Sequence, residues 1–320
     1  MNREVSAKLR RIEDDIRAIT IQGATNVAYA VLDGIRLFTR EYEGKPKLFF
    51  PELKKIGTQL YSVRENEPLA RNALKYILFS LGKEKSADIQ ITKSKVIEAC
   101  DGYESMIASS KIDMIKVGTE ALADEEVILT HCHSSTTVAI LKNVAKLRAI
   151  SGKKKLKVVA TETRPLFQGH KTAEELFKSD VNTTLIVDSA SASFIVDDTY
   201  LPVTAVLVGC DELLKDGSFI NKVGSFPLAL AAQKGSDNFF VATTLLKLDP
   251  FCDVGSPMIE QRDAKEVWTQ APSGLKIINP AFDHVSYRYV TGYITEAGLL
   301  TKHNLLKTTK QIYPWIFEKK

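Results

Sequence analysis

No Cys-x-x-Cys pair occurs in this chain, and its four cysteines, Cys100, Cys132, Cys210 and Cys252, stand far apart. That spacing offers no zinc ribbon and no disulfide framework; it suits free thiols in a reducing compartment, so a cytoplasmic location is expected. Also missing is any apolar run near the roughly 18 residues that a membrane-spanning helix needs. The opening stretch, MNREVSAKLRRIEDD, has no apolar segment of the kind that marks a secretory signal. Charge of one sign is nearly absent as a surplus, since Lys+Arg 43 against Asp+Glu 39 leaves a net +4. So small an excess gives no argument for nucleic acid or a membrane surface as partner, and it is compatible with an anionic small molecule. Internal repeats and low-complexity segments are lacking as well. KKKLK at 153–157 reads as a solvated strand entry.

What remains is an ordinary globular composition, 44% hydrophobic over 320 residues, enough for a buried core and two domains. Residues 1–122 read as helices. Val5, Leu9, Ile12, Ile16 and Ile19 recur at helical spacing on a charged background. A second helix is predicted from near Gly23 through AYAVLDGIRLFTREY, and Pro51 and Pro68 are placed as first-turn prolines of two more. A long proline-free helix follows in ITKSKVIEACDGYESMIASSKIDMIKVGTEAL.

After residue 126 the pattern changes. Short β-rich runs, VILTHC (127–132), LKVVAT (156–161), TTLIVDS (183–189), TAVLVG (204–209), NFFVATT (238–244) and VTGYIT (290–295), alternate with helical segments. Five- or six-residue apolar runs between helices signal βαβ units with a sheet covered on both faces. The expectation is an α/β protein: a helical N-terminal domain, 1–122, followed over 123–320 by a Rossmann-like doubly wound parallel sheet.

In such sheets ligands sit beyond the carboxyl ends of the strands. The segments that follow the predicted strands are THCHSS (130–135), TETRPLFQG (161–169), DSASAS (188–193), GCDELLKDG (209–217) and TEAGLL (295–300). Together they offer a thiol, an arginine, hydroxyls and acidic groups, a set suited to an anionic, hydroxylated small molecule.

Three readings compete at His131-Cys132-His133. A metal site is disfavoured, because neighbours on a strand point to opposite faces, and His170, His284 and His303 have no paired ligand spacing. A nucleophilic Cys–His pair needs an imidazole in hydrogen-bond reach, which neighbours on one strand seldom provide. A half-buried structural thiol is the plain alternative. Against it stands location: Cys132 ends a strand just before SSTT, where a helix N-terminus would lower a thiol pKa. Asp211, after VLVGC, is either a loop carboxylate or helix cap, or the partner of Cys132 in proton transfer. Arg164 in TETRP is either a surface ion pair or a bidentate phosphate grip. INKVGS (220–225) is either a turn or a helix start presenting a lysine and amides to an anion.

Read together, IQGATNVA (21–28), LTHCHS (129–134), VVATETRPLFQG (158–169), LVGCDELLKDGSFINKVGS (207–225), NPAFD (279–283) and ITEAG (294–298) resemble one family over nearly the whole chain. It is the superfamily of aldose-phosphate isomerases related to the alpha, beta and delta subunits of translation initiation factor 2B, with the archaeal ribose-1,5-bisphosphate isomerases most similar. The resemblance implies that Cys132 and Asp211 are the catalytic pair. It also implies that substrate is gripped by Gly23, Ala24, Arg64, Ser134, Ser135, Arg164, Gln168, Asn221 and Lys222. One departure stands out: the isomerases typically have Arg-Gly-Ala where this chain has Gln22-Gly23-Ala24. An uncharged amide cannot hold a phosphate as a guanidinium does, so Arg64, Arg71 or Lys222 would have to compensate.

The implied reaction is aldose–ketose isomerisation of ribose 1,5-bisphosphate, with Cys132 as base and Asp211 as acid, needing no metal and no cofactor. The alternatives are a non-catalytic, initiation-factor-like regulatory subunit, which Gln22 favours, and a methylthioribose-1-phosphate isomerase. The resemblance further implies a phosphorylated pentose as ligand, a nucleotide effector such as AMP, and a homo-oligomer, dimer or hexamer. The C-terminal strand and VSYRYVTGYI are the expected interface.

Overall fold

The computed structural model describes residues 3–64, 66–82, 88–197, 200–252, 254–255 and 257–318. They divide into two compact units. The first comprises residues 1–109, 246–250 and 309–320, and the second residues 110–245 and 251–308.

Five helices lead the chain: α1 (Arg3–Arg17), α2 (Ala24–Arg40), α3 (Pro46–Tyr61), α4 (Pro68–Ser80) and α5 (Ile89–Ala121). In α1 the apolar stripe buries Val5, Leu9 and Ile16, whereas Ile19 lies past the helix end in a left-handed turn with φ 59°. The most enclosed of the first unit's helices is α2, whose Val27, Ala28, Val31, Leu32 and Ile35 are fully buried. Pro68 opens α4 as expected, its missing N–H falling where no intrahelical bond is due. Pro51 does not open a helix. It lies inside α3, which begins at Pro46, and the burial of Phe49, Leu53, Ile56 and Leu60 holds the turn that an interior proline weakens.

In the second unit the strands are β1 (Val127–Thr130), β2 (Lys157–Thr161), β3 (Asn182–Ile186), β4 (Ala205–Val208), β5 (Glu212–Leu214), β6 (Phe219–Lys222) and β7 (Asn238–Ala242). The two-residue β8 (Leu248–Asp249) belongs to the first unit; β9 (Phe282–Val285), β10 (Gly292–Thr295) and β11 (Gly298–Leu300) complete the second. Its helices are α6 (Ser135–Ile150), α7 (Gln168–Phe177), α8 (Ser191–Val196) and α9 (Ser225–Gly235); α10 (Lys302–Ile312) follows β11.

The main sheet runs in the order β11-β10-β7-β4-β1-β2-β3. Six of its strands are parallel, and only β11 is antiparallel, paired to β10. This is the doubly wound arrangement, with β1 and β4 adjacent where the winding reverses. β1, β4 and β10 are buried along their whole length, which explains their uninterrupted apolar runs. Ile128, Val158, Leu207, Phe240 and Ile294 form one core with Val138, Leu141 and Val144 of α6. β3 is the edge, and its sequence NTTLI is accordingly half polar and half exposed.

Sequence patterning missed the smaller sheet, in which β6 pairs antiparallel with both β5 and β9. Strands of three or four residues broken by Asp and Gly are too short for periodicity to register. In the expected interface segment VSYRYVTGYI, Arg288 and Thr291 are exposed, whereas the ends belong to the core. Val285, Tyr293 and Ile294 are buried within their own unit, and the Tyr293 hydroxyl donates to the Gly217 carbonyl.

Candidate active site

The winding reverses between β1 and β4, the place where sheets of this kind bind ligands, and the two candidate reactive groups follow the carboxyl ends of these strands. Thr130 of β1 lies opposite Leu207 of β4, and the strands continue into Cys132 and Asp211. Asp211 is half-buried, and its N–H donates to the Ile220 carbonyl at 2.9 Å, tying it to the β5–β6 hairpin. Ser134 and Asn221 come together at Gly209, where a β-carbon would lie 3.2 Å from Ser134 Cβ and 3.8 Å from Asn221 Oδ1.

Cys132 is not the last residue of a strand, as sequence predicted. β1 stops at Thr130, and Cys132 adopts a left-handed conformation with φ 67°. Both sides of its backbone are held: its N–H donates to Thr163 Oγ1 at 2.9 Å, and its carbonyl accepts from Thr172 Oγ1 at 2.7 Å. Thr172 has spent its proton on that carbonyl, so it receives the hydrogen bond from His133 Nδ1 at 3.1 Å.

His131 is buried and structural. Its Nε2 lies 2.8 Å from the Val223 carbonyl, which only accepts, so Nε2 carries the proton. Burial holds the imidazole below its ordinary pKa, hence neutral at pH 7, which leaves Nδ1 to accept from Thr161 Oγ1 at 2.6 Å. Both ring nitrogens are therefore engaged within the protein.

The thiol differs from the expected activated form. Burial pushes Cys132 up to about 11; Lys222 and the His133 amide pull it down, while Asp211 and Asp188 push it further up. The α6 N-terminus follows, but Ser134 caps it by accepting from Thr137 N–H at 3.3 Å. Desolvation outweighs the nearby positive groups, so the resting group is a thiol. Lys222 is a cation whose charge favours the Cys132 thiolate, and its ammonium lies 4.9 Å from the Phe282 ring centroid.

The other expected ligand residues divide by location. Ser135, the first residue of α6, is exposed and accepts from Lys111 Nζ at 3.1 Å. Asn221 is buried and donates to Ser225 Oγ at 2.8 Å. Gln168 opens α7, its Oε1 buried without a hydrogen-bond partner among the described residues. That helix can start there only because residue 169 is glycine: a β-carbon would fall 1.7 Å from the Thr161 carbonyl oxygen. Arg164 is turned to the protein itself, donating from Nη2 to the Val267 carbonyl at 2.9 Å, with its guanidinium 5.0 Å from the Phe167 ring centroid.

Gly23, Ala24 and Arg64 lie in the first unit. Gly23 is the N-cap of α2 with φ 87°, and Ala24 is buried. Arg64 is buried against Glu67, with Nη2 to Oε1 at 3.1 Å. Arg71, a second candidate to compensate for Gln22, pairs with Asp249 at 2.8 Å.

The amides of INKVGS are not open to an anion as expected. Asp283 Oδ2 accepts from the N–H groups of Gly224 and Phe226 at 2.8 and 2.9 Å, so the α9 N-terminus already holds a carboxylate. Asp283, Thr163, Thr172 and Asp188 were not singled out by sequence reasoning. Asp188 stands in the segment after β3 and Asp283 closes NPAFD, but nothing in composition marks either as a backbone clamp.

With this geometry in view, the likenesses to known proteins are informative. Residues 20–302 match the model of the initiation factor 2 subunit family. A ribose 1,5-bisphosphate isomerase of Haloferax volcanii is 32% identical, covering 98% of this chain and 97% of the relative. A 5-deoxyribose 1-phosphate isomerase of Moorella thermoacetica is 33% identical over 92% of this chain and 87% of its own. Among solved structures, the translation initiation factor eIF-2B of Pyrococcus horikoshii matches with a TM-score of 0.75 and 25% identity, over 94% of this chain and 98% of that one. The chain belongs to the initiation factor 2 subunit family, and these two relatives of similar length are sugar-phosphate isomerases.

Proposed function

We propose that the protein is an aldose–ketose isomerase that converts ribose 1,5-bisphosphate to ribulose 1,5-bisphosphate. The observation that carries this reading is the placement of Cys132 and Asp211 on adjacent strand ends at the switch point, with Lys222 acting on the thiol. A ribose phosphorylated on O1 cannot open spontaneously to an aldehyde, so isomerisation must begin at C2. Cys132, as thiolate, takes the C2 proton; the C1–C2 double bond forms as the C1–O4 bond breaks, and Asp211 gives its proton to O4. The resulting enol phosphate then loses its O2 proton to the Asp211 carboxylate, while C1 takes the proton held by Cys132. Atoms and charge balance, and both residues return to their starting forms.

The test is an NMR time course with α-ribose 1,5-bisphosphate, run with and without AMP. Cys132→Ser and Asp211→Asn are each expected to lose turnover while keeping the fold. Wild-type turnover in either variant would remove that residue from the scheme. A homo-oligomer and activation by AMP belong to the same proposal.

A second reading, a non-catalytic regulatory subunit, is favoured by Gln22. This side chain is exposed, immediately before the α2 cap, where the isomerases typically have arginine. Gln22→Arg separates the readings. If the site grips a bisphosphate, the added guanidinium lowers KM about tenfold, as one charge-assisted contact would. If the chain only senses a ligand, no product forms with either residue. A methylthioribose-1-phosphate isomerase, with one phosphate to hold, would show the preference for the monophosphate in the same assay.

A further inference from the structure

Thr163 adopts a left-handed backbone with φ 63°, a conformation that disfavours β-branched residues and would ordinarily select glycine. Glycine, however, brings no hydroxyl, and the hydroxyl of Thr163 is the acceptor for the Cys132 N–H at 2.9 Å. The turn itself is held by one carboxylate. Asp188 Oδ1 accepts from Thr163 N–H at 2.7 Å, and Asp188 Oδ2 accepts from Arg164 N–H at 2.6 Å. Two successive amides converge on one side chain only when the turn between them is formed. Asp188 stands immediately beyond β3, so the chain of contacts runs from the β3 end to the β2 end to the β1 end, across three neighbouring strands.

We propose that Asp188 and Thr163 are positioning residues for Cys132: the Asp188 carboxylate holds the left-handed turn at Thr163, and the Thr163 hydroxyl holds the Cys132 amide. The functional part of this claim rests on Cys132 being the proton-accepting group. With the amide held by Thr163 and the carbonyl by Thr172, the peptide units flanking the thiol are fixed on both sides. Loss of the Thr163 hydroxyl leaves a single anchor, so the thiol gains freedom and water. The charged groups acting on that thiol come from three elements: Lys222 from β6, Asp211 from the end of β4, and Asp188 itself.

The experiment compares Thr163→Val, which is nearly isosteric but has no acceptor, with Thr163→Ser, which keeps it. Folding is checked by circular dichroism. Iodoacetamide alkylation is followed at Cys132 by peptide mass spectrometry from pH 6 to 10, and steady-state turnover is measured in parallel. In Thr163→Val, alkylation of Cys132 at pH 8 is expected to rise about tenfold as the thiol loses its enclosure. The kcat is expected to fall about tenfold with KM within about twofold, as for loss of an interaction made in the transition state. Thr163→Ser should match wild type in both. A folded Thr163→Val with the wild-type alkylation profile overturns the proposal, as does a Thr163→Ser that fails like Thr163→Val. If Thr163→Val does not fold, Asp188→Asn is read by the same two measurements and decides. If wild type itself has no turnover, the isomerase reading falls, while the alkylation profiles still accept or reject the clamp.

Discussion

His131 and Gly224 meet so closely that a β-carbon at position 224 would lie 2.6 Å from His131 Cε1 and 2.7 Å from its Nε2. Gly224 also has φ 109°, outside the range of L side chains. The contact seats the β6–α9 turn on the imidazole that follows β1. Gly224→Ala must therefore displace either His131 or its own backbone. The expected cost is about 2–4 kcal/mol, read as a lower denaturant midpoint. A variant as stable as wild type would mean that the turn relaxes freely.

The N-terminus of α9 depends on Asp283, which accepts from two of its amides. Asp283→Ala leaves both donors unpaired and removes a charge matched to the helix end. A loss of about 1–2 kcal/mol is expected, with Asp283→Asn losing less because it keeps one oxygen acceptor. Chemical denaturation of the three proteins measures the order directly.

The raised pKa of Cys132 governs how catalysis should vary with pH. With the thiol near 11, only roughly one molecule in ten thousand carries the thiolate at pH 7. That fraction grows tenfold per pH unit, so log kcat/KM should rise with a slope of about one between pH 7 and 9 wherever the Asp211 carboxyl keeps the proton it must give to O4. A flat profile over that range would show that each gain in Cys132 thiolate is offset by loss of the Asp211 proton, or that Cys132 is already ionised when substrate binds; a rising profile in Asp211→Asn, measured on its residual activity, selects the first.

His131 imposes an acid limit on stability. Its folded pKa is lowered by burial, so between that value and the ordinary 6.5 the unfolded chain binds more protons than the folded one. Stability from this residue is complete above about pH 6.5 and is lost as pH falls through the folded value. Thermal melts from pH 8 to 5 should show this decline. His131→Asn should flatten it, at the cost of a lower melting temperature at pH 8. His133, whose pKa is also lowered by burial, contributes in the same window, so the flattening is partial.

The order of apolar runs and helices was enough to predict a helical start and a doubly wound sheet. Strands buried on both faces must be continuously apolar, and VILT, AVLV and GYIT meet that demand. The positions of Cys132 and Asp211 just beyond two such runs were equally legible, because ligand crevices form at strand carboxyl ends. Chain order alone does not say which strands are neighbours. The pairing of β1 with β4 makes neighbours of the strand ends that these two residues follow, and hydrogen bonding between segments 77 or so residues apart made that choice, as in Thr204 N–H to the Val127 carbonyl at 2.9 Å. The charge state of the thiol was likewise undecided in the sequence. A helix start beside Cys132 argued for a low pKa, and enclosure in the folded crevice, a property of packing rather than of neighbours along the chain, sent it the other way. The clamp formed by Asp188, Thr163 and Cys132 has the same origin: three strand ends that are distant in sequence become adjacent only when the sheet assembles.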